Sequence, residues 1–169
     1  MKHLYFMRHG LSLHNQIGIF SGRTDSPLVD EGKEDVKKSA ESVKNIGIDV
    51  IVCSPLQRAV ESAEIIAEVI GYKGKILEND LLSERDFGAL EGTPYIPLKV
   101  KDDVEDIESV EDLVKRAQRA LKWIESLHAD EVLVVSHGSL GRALRYVISE
   151  EIPFNHPVKF GNAEIVQLK

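Results

Sequence analysis

The sequence predicts an α/β fold: a three-layer α/β/α sandwich around a mainly parallel central sheet, in one domain spanning residues 1–169. Short, continuously apolar runs alternate with segments of helical periodicity. The runs lack strict polar–apolar alternation, which suits strands covered on both faces. The 169 residues, 43% hydrophobic and 29% charged, suffice for a single hydrophobic core. There is no internal repeat or low-complexity stretch.

In chain order, residues 3–7 read as the first strand and Asp49–Cys53 as the second. Residues 131–136 form the strongest strand signal, and 74–78 and 163–168 form weaker ones. Asp30 is the expected cap of a helix that presents Val36, Ala40 and Val43 on one face. Ser54-Pro55 suggests a cap followed by proline at the first helical position, opening a helix with Ala59, Ala63, Ile66, Ala67 and Ile70 inward. Ser109 and Asp112 resemble a capping box ahead of Leu113, Val114, Ala117, Leu121, Ile124 and Leu127. Trp123 lies near that stripe and is expected to pack. A last helix, from about Ser139, carries Leu140, Ala143, Leu144, Val147 and Ile148.

The acidic stretch 92–108 interrupts the pattern. It reads as a solvated loop, with a short flap over a binding site as the sharper alternative. The lone cysteine, Cys53, excludes an intrachain disulfide and is expected to act as a small hydrophobe at the end of a buried strand.

A net charge of −7 argues against general nucleic-acid binding. It does not argue against a phosphate ligand, because a few arginines at contact distance dominate locally. No apolar run is long enough to span a membrane, and the N-terminus does not resemble a signal peptide, so a cytoplasmic protein is expected. The oligomeric state is not readable.

The chemistry gathers at strand exits. The first strand runs into Arg8-His9-Gly10, the second into Ser54-Pro55-Leu56-Gln57-Arg58, and the strongest into His137-Gly138. Leu82-Ser83-Glu84-Arg85 follows the weak strand. If these strands are parallel, Arg8, His9, Arg58, Glu84 and His137 meet at one rim, where open α/β sheets bind ligands. Two guanidinium forks match phosphoryl oxygens. Two histidines offer a nucleophile and a clamp, and a glutamate offers a proton donor. Gly10 and Gly138 are expected to let the backbone approach the ligand. His3, His14, His128 and His156 are expected to be structural. A two-His, one-carboxylate metal site from His9, His137 and Glu84 is the rival use of the same atoms. The adjacent arginines would repel a divalent cation, so no metal is expected.

These segments, in this order, resemble the histidine phosphatase (phosphoglycerate mutase-like) family, branch 1. The relevant stretches are Arg8-His9-Gly10-Leu11-Ser12-Leu13-His14-Asn15, Ser21 to Leu28, Ser54-Pro55-Leu56-Gln57-Arg58-Ala59, Leu82 through Gly92, Ser136-His137-Gly138 and Asn162-Ala163. The resemblance covers nearly the whole chain. It implies that His9 is phosphorylated and that Arg8, Asn15, Arg58 and His137 hold the phosphoryl oxygens, with the Gly138 backbone nearby. It also implies that Glu84 donates and accepts the proton, that Ser21 and Gly22 border the substrate, and that Arg116 is structural. The implied activity is hydrolysis of a small-molecule phosphate monoester without metal or organic cofactor. The alternatives are a cofactor-dependent phosphoglycerate mutase and a non-catalytic phospho-ligand binding module. Leu11 stands where the family often has an acidic residue or Gln, which is expected to alter the pocket rim. The short 93–108 stretch replaces the long insert of mutases and favours hydrolysis.

Overall fold

The computed structural model describes residues 1–95 and 106–169. Five strands form one sheet: β1 (His3–Arg8), β2 (Val50–Cys53), β3 (Leu77–Glu78), β4 (Glu131–Ser136) and β5 (Ile165–Gln167). Their order is β3-β2-β4-β1-β5. The first four are parallel where they pair, and β5 lies antiparallel to β1 at the edge.

Alternate side chains of the strands feed two separate cores, as the two-residue strand period requires. Leu4, Phe6, Val52, Val132 and Val134 face helices α4 (Val110–Glu125) and α5 (Gly138–Ile148). Met7, Ile51, Cys53, Leu133 and Val135 face α2 (Asp30–Ala40) and α3 (Gln57–Ile70). This is the α/β/α sandwich. Trp123 packs against the first core. Cys53 is fully buried in the second, where burial pushes its thiol up to about 12. No helix among the described residues is long and apolar enough to cross a membrane.

Several element ends differ from the sequence expectation. Asp30 is the first residue of α2 and not its cap; Val29 holds that place without a side-chain hydrogen bond. Asp30 and Glu31 instead favour the helix through its dipole. Ser54 does not cap α3 either. Leu56 is extended, and the helix begins at Gln57, whose N–H donates to Asp25 Oδ1 at 2.8 Å. That cap comes from a distant segment, so local sequence cannot show it. Ser109 does cap α4, accepting from the Asp112 N–H at 3.0 Å. A four-residue helix, α1 (Leu13–Gln16), capped by a Ser12–Asn15 box, was not anticipated. Of the expected flap, residues 96–105 lie outside the described residues.

Strand register positions the site. Arg8 pairs with Ser136, and Cys53 pairs with Val135, so β1, β2 and β4 end at one level. His9 N donates to Ser136 O at 2.9 Å, and Ser54 N to Val135 O at 3.1 Å.

Candidate active site

One cavity opens at this rim. Its walls include Arg8, His9, Asn15, Ser21, Gly22, Arg58, Glu84 and Gly138. His137 does not line it. That ring is fully buried beside His9, with centroids 5.1 Å apart. None of the other four histidines reaches the cavity wall.

His9 is 3% exposed. Its Nδ1 lies 2.7 Å from Gly10 O, and a carbonyl only accepts, so Nδ1 carries the proton. Nε2 therefore keeps its lone pair, and Arg58 Nε donates to it at 3.3 Å. Burial, then Arg58 and Arg8, hold the His9 pKa well below the usual 6.5. The imidazole is neutral, with one nitrogen fixed and the lone pair of the other free of a proton.

Arg58 is 1% exposed. Besides His9, its guanidinium donates to Thr24 O at 3.1 Å and Gly22 O at 2.6 Å. Burial pulls its pKa down while Glu84 opposes, leaving it charged at neutral pH. Arg8 is held by Phe160 O at 2.9 Å. Asn15 Oδ1 accepts from Ser12 and from Asn162 Nδ2, which leaves its own amide N–H groups for the cavity.

Glu84 lies across the N-terminus of α5. Its carboxylate accepts from Ser139 N at 3.1 Å, Leu140 N at 3.3 Å and Arg85 N at 2.8 Å. The nearly buried Arg116 anchors the turn that carries it, donating to Leu81 O, Ser83 O and Glu84 O and pairing with Glu108.

The glycines after the two strand-exit histidines differ. Gly10 spends its N–H on Ser62 Oγ at 3.0 Å, and a Cβ there would strike Gly32 O at 2.7 Å, so this glycine serves the packing of α2. Gly138 does line the cavity, and a Cβ there would meet only ordinary contact with Arg8, at 3.7 Å. Leu11 is not on the cavity wall; its backbone receives Val29 N and closes on Gly32.

Glu91 escaped the sequence reading. One carboxylate oxygen accepts from Arg23 N and Phe87 N, the other from Thr24 N and Thr24 Oγ1, all within 2.6–3.1 Å. A Cβ on Gly22, which sits at φ +51°, would collide with this carboxylate. Glu91 thus ties down the loop whose carbonyls hold Arg58. Asn162, seen only as a closing segment, donates to His9 O and Gly10 O.

Three buried donors or acceptors of this region have no hydrogen-bond partner among the described residues: Arg8 Nε, Ser21 Oγ and His137 Nδ1. Buried polar groups are rarely left so, and the two on the cavity wall, Arg8 Nε and Ser21 Oγ, suit an oxygen-rich ligand. Four cations line the cavity (Arg8, Arg58, Arg142 and Lys159) against one carboxylate, Glu84, in a chain of net charge −7. The site is an anion cradle. Among the described residues, no group of three His, Cys, Asp or Glu side chains is placed to hold a metal ion.

A family model described as the histidine phosphatase superfamily (branch 1) matches residues 4–169. An uncharacterised phosphatase, PhoE, of Bacillus subtilis is 33% identical over 167 residues, covering 96% of this chain and 86% of its own. A 2,3-bisphosphoglycerate-dependent phosphoglycerate mutase of Parvibaculum lavamentivorans is 30% identical over 161 residues, covering 83% and 77%. The solved phosphoglycerate mutase of Bacillus anthracis superposes with a TM-score of 0.85 at 23% identity, covering 98% of this chain and 86% of that one. The fold is therefore phosphoglycerate mutase-like.

Proposed function

This chain belongs to branch 1 of the histidine phosphatase superfamily, and from that premise we propose that it hydrolyses a small-molecule phosphate monoester through a phosphohistidine on His9. The observation that carries the proposal is the pairing of a neutral His9, its Nε2 free of a proton, with the Arg58 guanidinium 3.3 Å away. A nucleophile and an oxyanion clamp share one buried spot.

In the first step His9 Nε2 attacks phosphorus. The N–P bond forms, the bond to the leaving oxygen breaks, and Glu84 gives that oxygen its proton. Arg8, Arg58 and the Asn15 amide take the charge on the equatorial oxygens. In the second step Glu84 accepts a proton from water, the water oxygen bonds to phosphorus, and the N–P bond breaks to release inorganic phosphate. Glu84 is then protonated again for the next cycle. Fixed guanidinium groups do the work a divalent cation does elsewhere, so the steps use no metal.

A relative named as a phosphoglycerate mutase is 30% identical to this chain, and transfer back to a second hydroxyl is the competing outcome. The short connection between Gly92 and α4 favours water as acceptor, because a mutase must exclude water while its intermediate turns over. The test is phosphate release from a panel of monoesters with chelator present, for wild type and His9→Ala. Release by wild type alone, with acid-labile phosphate trapped on the protein, supports hydrolysis. Isomerised product without release selects the mutase. Equal turnover by His9→Ala rejects the covalent route.

A further inference from the structure

Ser54 does not cap α3, yet its hydroxyl is fully buried and makes two contacts. Leu56 N donates to Ser54 Oγ at 3.2 Å. His137 Nε2 lies 2.7 Å from the same oxygen. Strand register sets this second contact. Cys53 pairs with Val135, and Ser54 N donates to Val135 O at 3.1 Å, so the residue just past β2 stands beside the residues just past β4. The first turn of α5 holds His137 from its own side, with Gly141 N donating to His137 O at 2.9 Å.

The His137 ring is neutral: burial, then Arg58, keeps its pKa well below the usual 6.5. A neutral imidazole carries one proton, on one of its two nitrogens. Were it on Nε2, the ring would donate to Ser54 Oγ. Leu56 N–H donates there too, and the hydroxyl proton of Ser54 would have no acceptor among the described residues. His137 Nδ1, which has no partner, would add a bare lone pair as a second unmatched group. With the proton on Nδ1, the Ser54 hydroxyl donates to Nε2 and accepts from Leu56 N–H, and only the Nδ1–H is unmatched. Each unpaired buried group is costly, so this second arrangement is the more stable.

We propose that Ser54 is a positioning residue, whose hydroxyl fixes His137 as the Nδ1–H tautomer and so gives the ring a donor for a phosphoryl oxygen held at His9. This deepens the phosphohistidine reading and rests on it for the acceptor. Neither Ser54 nor His137 lines the cavity, and the ring meets the site through His9, centroid to centroid 5.1 Å away. A hydrogen bond to an anionic oxygen is of the strong kind, whereas the other tautomer would set a lone pair against the same oxygen.

Nitrogen NMR of histidine-labelled protein reads the tautomer with no substrate present, the His137 signals being those lost in His137→Asn. In wild type, Nδ1 should show the shift of a protonated ring nitrogen and Nε2 that of an unprotonated one. Ser54→Val should mix or reverse the two, and Ser54→Thr, of the same shape with the hydroxyl kept, should hold the wild-type pattern. Ser54→Ala, which adds no bulk, gives the same loss should the extra methyl of the other two unfold the chain. Inorganic phosphate should move the His137 Nδ1 signal in wild type and move it less in Ser54→Val. With 4-nitrophenyl phosphate, kcat/KM should fall about tenfold in Ser54→Val, with most of the loss recovered in Ser54→Thr. Protonation of His137 at Nε2 in wild type, or an unchanged tautomer in Ser54→Val and Ser54→Ala, would overturn the proposal. So would a switched tautomer with kcat/KM unchanged, or an Nδ1 signal that phosphate leaves in place. The tautomer is read in the resting protein and phosphorylation of His9 separately, so a failed covalent route is told apart from a failed role for Ser54.

Discussion

Arg58 Nε donates to His9 Nε2 at 3.3 Å, the same nitrogen that attacks phosphorus in the proposed mechanism. In the resting site the guanidinium occupies the nucleophile's lone pair, and an arriving phosphoryl group must come between them and inherit the contact. In that mechanism Arg58 stabilises developing oxyanion charge from a position set before substrate binds. Arg58→Ala should lower kcat/KM by about 10²–10³-fold, the usual loss for one preorganised donor. Steady-state phosphate release measures it, alongside a thermal melt, because this arginine is also buried.

Glu91 acts on the same contact from further away. Its carboxylate takes four N–H or O–H donors, and Gln would present an amide N–H to at least one of them. Glu91→Gln should loosen the Gly22–Thr24 carbonyls that hold Arg58 and reduce kcat about tenfold, with a smaller change in KM. In an Arg58→Ala background the same substitution should cost almost nothing in kcat, because the group it aligns is gone. Equal losses in both backgrounds would show that Glu91 supports only the fold. Thr24→Val, which removes one of the four donors, offers a milder version of the same cycle.

Why His9 and Arg58 were legible and Glu91 was not is a matter of chain geometry. Both predicted residues stand just beyond apolar runs, and a parallel sheet brings its strand ends to one edge whatever the loops do. Reading β1, β2 and β4 was enough to place them together. Glu91 and Asp25 act on backbone N–H groups from segments remote in sequence, and side-chain periodicity carries no trace of such bonds. Gly10 misled because a glycine after a strand-exit histidine has two uses, ligand approach and helix packing. Only the position of Gly32 against it distinguishes them. The caps of α2 and α3 failed for a related reason. Ser, Asp and Pro are frequent near helix starts, but which residue becomes the cap depends on the angle at which the loop enters.

The buried histidine pair sets a pH limit on stability. Burial is the main cause holding both His9 and His137 well below 6.5, and nearby arginines add to it. Above about pH 6.5 both are neutral in the folded and unfolded chains, and the full stability is present. As pH falls below that value the unfolded chain takes up protons that the folded one refuses. Stability is then lost at up to about 1.4 kcal/mol per pH unit for each histidine, until the folded pKa values are reached. Urea unfolding between pH 8 and 5 should show this fall, with a shallower slope in His137→Asn. A slope that the substitution leaves unchanged would assign the acid sensitivity to other groups.

Cys53 gives a simpler check on the core. A thiol raised to about 12 and fully enclosed at the end of β2 has almost no thiolate at neutral pH. Iodoacetamide should leave the native protein unlabelled over hours and label it promptly in denaturant, as read by mass spectrometry. Labelling of the folded protein would mean that β2 opens locally.

Glu84 allows the chemistry itself to be divided. Its carboxylate rests on the Ser139 and Leu140 N–H groups at the start of α5, on the cavity wall but apart from the hydrogen bonds that hold His9. Removing it should spare the nucleophile and remove the proton. In Glu84→Ala the loss in rate should therefore depend on how much the departing oxygen needs protonation. With an alkyl phosphate, whose alkoxide is a poor leaving group, formation of phospho-His9 should slow by about 10²–10⁴-fold, the range of general acid catalysis. With 4-nitrophenyl phosphate, whose phenolate leaves unaided, a pre-steady-state burst of nitrophenol should survive. Hydrolysis of phospho-His9 then becomes limiting, because water has lost its base. Rapid-quench detection of phosphoprotein would show the intermediate accumulating in the variant and not in the wild type. A variant that loses the burst and the alkyl reaction in equal measure would place Glu84 in binding, and the proton donor would have to be sought elsewhere on the cavity wall.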